Sequence, residues 1–88
     1  MRLKISRVGE GLHPNEVVVA VQTNEGKERM VIHKRALRDD TIEIGYPIDE
    51  DDGNYLVQLP GETMRGAGRV WVASELVVSE TPKQKAVA

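Results

Sequence analysis

The chain has 88 residues, no cysteine and a formal net charge of −2. This length allows one small domain with a modest core, and the missing cysteine excludes disulfides and thiolate zinc sites. The mildly acidic balance argues against nonspecific binding of nucleic acid. The N-terminal residues contain no continuous apolar run, and no stretch is apolar for long enough to span a membrane, so we expect a cytoplasmic protein that does not enter membranes.

The first predicted strand covers residues 2–8, where Leu3 and Ile5 alternate with polar side chains. It ends at the turn Gly9-Glu10-Gly11. The alternation is typical of a strand with one face buried and one face in water.

Residues 16–33 predict a β-hairpin, which is the strongest pattern in the chain. The β-branched run Val17-Val18-Val19-Ala20-Val21 precedes the turn Asn24-Glu25-Gly26, whose glycine can supply a positive φ. A two- or four-residue loop would pair Val21 with Met30, whereas a three-residue loop with a bulge would shift the pairing by one residue. The sequence leaves this register open.

Apolar side chains lie on both faces of this hairpin in either register. In the first register one face carries Val17, Val19, Val21, Met30 and Ile32, and the other carries the remaining apolar residues. Strands with two apolar faces are central in a fold or have one face covered by a partner. We therefore expect an interface for a protein partner or a second copy, with these candidate residues: Val18, Ala20, Val31 and Trp71.

The remaining predicted elements follow in chain order. They are a turn or short helix over residues 34–40, a strand over 41–44, an acidic solvated turn over 49–54, strands over 55–59 and 69–73, and a 3₁₀ turn and short strand over 74–78 with Ser74 as cap. No internal repeat is visible. Residues 1–79 are expected to form one domain, and residues 80–88 a flexible polar tail.

Five or six short strands with such turns predict an all-β fold, either a small antiparallel barrel or a rolled meander. The segment Trp71-Val72-Ala73-Ser74-Glu75-Leu76-Val77 combines the penultimate strand with a 3₁₀ turn, and a longer loop precedes it. This layout resembles an SH3-like barrel. The resemblance implies five strands around one core.

Trp71 has two interpretations, because Val70 and Val72 flank it on the same strand. An inward ring would fill much of a small core, and this is the placement we expect. An outward ring would make Trp71 the best interface anchor in the chain.

The chain contains no motif that predicts catalysis, a cofactor or a metal. The acidic run Asp49-Glu50-Asp51-Asp52-Gly53 lacks EF-hand spacing, and Gly9-Glu10-Gly11 and Gly66-Ala67-Gly68 lack the third small residue of a dinucleotide fingerprint. His13 and His33 have no nucleophile nearby in a known pattern. We predict a protein that is not an enzyme and needs no cofactor or metal.

The functional prediction is a binding or assembly module whose partner is a protein, with a homodimer as its most specific form. The alternative is a small nucleic-acid-binding barrel, for which basic side chains would contact phosphates. The candidate contacts are a basic turn and a looser second group: Lys34, Arg35 and Arg38, with Arg65 and Arg69.

Overall fold

The computed structural model describes residues 1–79, so the predicted tail over 80–88 lies outside the described residues. The described chain is all-β, which confirms the predicted class, and it contains ten short strands rather than five or six. The strands are β1 (Arg2–Lys4), β2 (Ser6–Glu10), β3 (Glu16–Thr23), β4 (Gly26–His33), β5 (Leu37–Arg38), β6 (Thr41–Glu43), β7 (Asp49–Asp51), β8 (Asn54–Gln58), β9 (Arg69–Ala73) and β10 (Val77–Val78).

The strands form three antiparallel sheets. The central sheet has the order β10-β1-β6-β5, the first lateral sheet β2-β3-β4, and the second lateral sheet β7-β8-β9. None of these sheets, over residues 1–79, closes into a barrel. The SH3-like barrel therefore stays a prediction.

Two 3₁₀ turns connect the lateral sheets to the central sheet, at Lys34–Ala36 and Ser74–Leu76. They are the only helical segments among residues 1–79, and neither has the length and hydrophobicity of a membrane-spanning helix. The predicted cap Ser74 is wrong, because Ala73 is the N-cap residue and makes no side-chain hydrogen bond. In the first turn His33 does act as a cap, since its Nδ1 accepts a hydrogen bond from the Arg35 amide.

Buried apolar side chains of all three sheets meet in one core. Each sheet contributes alternate residues, as the two-residue period of a strand requires. The fully buried side chains are those of Leu3, Val17, Val19, Val21, Ile42, Val57 and Val72, with Met30 almost fully buried.

The predicted hairpin is present, and its register, which the sequence left open, differs from both alternatives. A two-residue loop, Asn24 and Glu25, brings Val19 opposite Met30, and Val21 therefore faces Glu28 instead. The shift from the predicted register is two residues, and a two-residue shift leaves each side chain on the same face. The predicted core face is thus confirmed although its pairs are not.

The acidic run over residues 49–54 was predicted as a turn, and most of it is strand. Asp49–Asp51 forms β7 and pairs with β8 through Asn54, Tyr55 and Leu56. The turn itself is confined to Asp52 and Gly53, which have positive φ angles of 50° and 82°.

The chain consists of two halves with the same topology, β1 to β5 and β6 to β10. Each half begins with a strand of the central sheet, continues into a three-stranded lateral sheet, passes through a 3₁₀ turn and returns to the central sheet. The last strand of each half pairs with the first strand of the other half, β5 with β6 and β10 with β1. The strand topology thus repeats although the sequence shows no internal repeat.

The pairing register repeats between the halves as well. Leu3 faces Ile42 at the centre of the β1–β6 pair. Leu37 faces Ile42, and in the same way Val77 faces Leu3. Within the central sheet the two halves are therefore equivalent in register and not only in strand order.

Candidate ligand-binding pocket beside Trp71

Trp71 does not point into the core. Val70 and Val72 on the same strand are buried, and Trp71 between them is half-buried on the opposite face of β9. Because successive side chains of a strand alternate between faces, two core valines force the ring between them outward. The predicted core placement is wrong, and the alternative outward placement is confirmed.

A cavity of about 410 Å³ lies beside Trp71. The tip of the β3–β4 hairpin forms one wall, with Asn24, Glu25 and Glu28. The second lateral sheet forms the other wall, and its lining includes Asp51, Asn54, Arg69 and Trp71. We call this cavity the Trp71 pocket.

Backbone and side-chain hydrogen bonds hold the hairpin tip against β9. The amide of Asn24 donates to the carbonyl oxygen of Trp71 at 2.9 Å. The buried Thr23 donates from Oγ1 to the Gly26 carbonyl at 2.6 Å and accepts from the Glu25 amide at 3.1 Å. The wall contributed by the hairpin is thereby fixed relative to Trp71.

Glu28 places a carboxylate in the pocket wall, and one of its two oxygens has no hydrogen-bond partner. It lies opposite Val21 on the core face of the hairpin, and its side chain is only 11% exposed. Its Oε1 is buried and has no hydrogen-bond partner among the described residues. Its Oε2 lies 3.9 Å from Nη1 of Arg65, whose side chain is 79% exposed. An ion pair with so exposed a cation offsets little of the cost of burying a carboxylate.

The lining of the Trp71 pocket carries more negative than positive charge. Three carboxylates, those of Glu25, Glu28 and Asp51, face one guanidinium, that of Arg69. Arg69 donates from Nε to Oε1 of Gln58 at 3.0 Å, a bond that directs it toward the neighbouring strand β8. The pocket therefore suits a group with positive charge better than an anion.

A second cavity, of about 270 Å³, lies at the corresponding place in the first half. It is lined by β4 residues, including Val31 and His33, and by Pro60 and Gly61 from the loop before β9. That loop also contacts β4 through the Met64 amide, which donates to the Arg29 carbonyl at 2.7 Å. Each half thus places a loop against the last lateral strand of the other, but the second cavity is apolar apart from His33.

The four predicted interface residues do not form one surface. Val18 is half-buried and faces Val31, which is 40% exposed, on the outer face of the first lateral sheet. Ala20 is buried on the same face, where it pairs with Ser6 on β2 and with Arg29 on β4. Trp71 lies on the second lateral sheet.

The predicted basic residues divide between two regions of the fold. Lys34 and Arg35 lie in the first 3₁₀ turn and Arg38 on β5, whereas Arg65 lies in the loop before β9 and Arg69 on β9. Nζ of Lys34 lies 3.6 Å from Oε1 of Glu10. The residues of the basic turn thus stay adjacent, and Arg65 and Arg69 lie on other elements of the fold.

Glu28, Asn24 and Asn54 were missed by the sequence analysis. A signal for Glu28 existed, because it shares the two-residue period of Met30 and Ile32 and so places a charge on an apolar strand face. Asn24 and Asn54 carry no such signal, since they line one pocket only because two sheets formed from distant parts of the sequence contact each other.

No protein-family model matches the chain, and comparison with curated proteins and with solved structures finds no significant match. Among residues 1–79, no group of three histidine, aspartate or glutamate side chains is arranged to hold a metal ion. The function is therefore inferred from the pocket and surfaces of the chain itself.

Proposed function

We propose that this chain is a non-enzymatic, cytoplasmic binding module and that the Trp71 pocket is its ligand-binding site. The observation that carries the proposal is a cavity of about 410 Å³ that places an aromatic ring beside a buried carboxylate oxygen without a partner. Ligand pockets typically measure about 300–1,000 Å³ and combine apolar area with a few convergent polar groups. The proposal does not depend on whether the sheets form an SH3-like barrel.

The fixed walls of the pocket support this proposal. Trp71 lies on a paired strand, and the Asn24 and Thr23 hydrogen bonds brace the hairpin tip that faces it. A binding site whose walls are ordered before the ligand arrives loses less conformational entropy on binding.

A screen by two-dimensional NMR tests this function. The labelled protein would be mixed with a library of neutral, cationic and anionic fragments, and the shifts of the Trp71 indole and Asn24 amide signals would be followed. We expect saturable shifts that centre on these signals in the wild type, and loss of the shift of the Asn24 amide in Trp71→Ala. Hits that consistently centre on another surface, or no hits in a folded protein, would contradict the assignment of the pocket.

Self-association is a second candidate function, supported by the cross-strand pair of Val18 and Val31 on the outer face of the first lateral sheet. Val31 leaves 40% of its surface exposed, and exposed apolar patches on soluble domains frequently mark contacts. A second copy packing on this face would cover both side chains.

Analytical ultracentrifugation at tens of micromolar tests this second function, with Val31→Lys as the variant. If copies associate through this face, the wild type sediments as a dimer and the variant as a folded monomer, because a lysine at an apolar interface is costly. The control is Lys27→Glu, another exposed position of β4. A monomeric wild type would contradict self-association, and a salt-dependent gel shift with the wild type would instead favour the nucleic-acid alternative.

A further inference from the structure

We propose that the group bound in the Trp71 pocket is an organic cation, namely a primary ammonium or a guanidinium. This inference rests on the proposed binding function and names the chemistry of its ligand. It follows from three features of the pocket: the unpartnered oxygen of Glu28, the tryptophan ring, and the excess of carboxylates.

Glu28 provides the first step. Its Oε1 is buried without a hydrogen-bond donor, and buried carboxylates are stabilised by a donor that is also charged. The neighbouring Arg65 indicates which chemistry this carboxylate attracts, since its guanidinium approaches Oε2 to 3.9 Å although it is mostly exposed. Because Glu28 lines the pocket and keeps 11% of its side chain exposed, a ligand cation at that exposed part would compensate the charge of the carboxylate.

Trp71 provides the second step. The face of an indole ring attracts ammonium and guanidinium groups more strongly than phenyl rings do, and the attraction grows when water is excluded. Half-burial of Trp71 in a pocket wall supplies such partial exclusion of water. A ring together with a buried carboxylate discriminates an organic cation from a neutral group of the same shape.

Charge in the rest of the lining provides the third step. Glu25 and Asp51 add two carboxylates, while the Arg69 guanidinium is hydrogen-bonded to Gln58. The amides of Asn24 and Asn54 complete the polar lining, and their carbonyl oxygens can accept hydrogen bonds from N–H donors. The positive charge that would balance these carboxylates is what ammonium and guanidinium groups carry.

The cation could be supplied as a free small molecule or as a side chain of a peptide, and the chemistry at the pocket is the same in both. The experiment therefore uses both sources. The free probes are N-acetyl-lysine amide and N-acetyl-arginine amide, and the peptide probes are five-residue Gly/Ser peptides with one central lysine or arginine. The neutral comparison is N-acetyl-norleucine amide, which matches the lysine stem without its charge.

Trp71 is the sole tryptophan of the chain, so its fluorescence reports directly on the pocket. We expect a saturable change in fluorescence with the cationic probes and an affinity at least about tenfold weaker for the norleucine probe, as loss of a charge-assisted hydrogen bond predicts. Glu28→Gln should weaken binding about tenfold for the same reason. The matched control is Glu75→Gln, which removes an exposed carboxylate outside the pocket and should leave the affinity unchanged.

The outcomes separate this inference from the proposed function. Equal binding of the norleucine and lysine probes, or saturable calcium binding that displaces the cationic probes, would overturn the cation while leaving a binding pocket. Fragment hits at Trp71 without any response to the cationic probes would do the same. No hits of any charge would overturn both. Tighter binding of the peptides than of the free amides supports the inference with a protein as the source, and equal binding supports it with a free amine.

Discussion

At the scale of single residues, Glu28 has opposite effects on stability and binding: its buried carboxylate lowers the stability of the domain and favours the binding of a ligand. Its carboxylate lies on the core face of a hairpin where the other buried residues are valines, a threonine, a methionine and an isoleucine. Burial of a charged oxygen without a partner lowers stability. A ligand that supplies the missing partner would recover that free energy when it binds.

Glu28→Gln should therefore raise the free energy of unfolding, by about 1 kcal/mol, because a buried amide is cheaper to desolvate than a buried carboxylate. The lost ion pair with Arg65 should subtract little from this gain, since that guanidinium is mostly exposed. Chemical denaturation followed by circular dichroism measures the difference.

The matched control for this change is Glu25→Gln, at an exposed position of the same hairpin tip, and its effect should stay within about 0.5 kcal/mol. A loss of stability in Glu28→Gln would show that the carboxylate has a stabilising partner, in contradiction to an unpartnered Oε1.

The sequence predicted single residues unevenly. It placed Val17, Val19 and Val21 on the core face, because alternation decides this before any tertiary contact forms. It misplaced Trp71, because ring size favours burial in general while the flanking valines decide the face in this strand. The burial of Ala20 could not be predicted either, since the pattern alone does not show that β2 pairs with β3 and places Ser6 beside it.

At the scale of elements, the β3–β4 hairpin depends on backbone conformation at its turn. Gly26 has a φ of 124°, a backbone conformation that residues other than glycine rarely adopt. The turn also sets the position of the hairpin tip, and so the wall of the Trp71 pocket. A substitution that strains the backbone at Gly26 would thus lower the stability of the domain and also change the wall of the pocket.

Gly26→Ala should lower the free energy of unfolding by about 1–3 kcal/mol, the usual cost of forcing an L-residue into such a region. Gly45→Ala is the matched control, because neither glycine has a heavy atom within 4 Å of the added Cβ and Gly45 lacks the positive φ. It should change stability by less than about 1 kcal/mol and in the stabilising direction. Thermal and urea denaturation measure both variants. If Gly26→Ala and Gly45→Ala changed the free energy of unfolding equally, backbone strain would not be the cause.

Elements were more predictable than their partners. The strands over 16–33, 41–44, 55–59 and 69–73 were recognised within a few residues, because each combines β-branched or alternating residues with glycine, proline or aspartate at its ends. The acidic strand β7 was missed, since pairing with β8 overrides the low β-propensity of aspartate and glutamate.

At the scale of the whole molecule, the two halves exchange their last strands. β5 completes the sheet beside β6, and β10 completes it beside β1, so neither half contains its own pairing partner for the returning strand. The sequence hid this repeat because the halves share a burial pattern rather than residues, as in Met30 and Ile32 against Val70 and Val72. Their loops also differ, with a two-residue turn in one half and a long loop in the other.

Cutting the chain between Asp39 and Asp40 should give two fragments that reassemble when mixed. Both aspartates lie in the turn between β5 and β6 and have positive φ angles of 50° and 58°, so the cut removes a strained turn and no strand. Three strand pairs then join the fragments, namely β1–β6, β1–β10 and β5–β6.

The measurement is circular dichroism of each fragment alone and of the equimolar mixture, with Trp71 fluorescence of the fragment over 40–88 alone and in the mixture. We expect β-structure and the native fluorescence to be regained only on mixing, with Leu3→Lys in the first fragment as the variant that abolishes it, since Leu3 is fully buried against Ile42. A fragment over 40–88 that shows the native spectrum alone would contradict the dependence of one half on the other.

The equivalence of the halves also bears on how the two cavities can change. In an assembly of two identical subunits every substitution appears twice, and paired sites keep the same lining. In a single polypeptide each site mutates separately, and this chain has carboxylates and tryptophan in one cavity and valine, proline and histidine in the other. Selection for one ligand therefore leaves the opposite cavity free to retain, lose or acquire a specificity of its own.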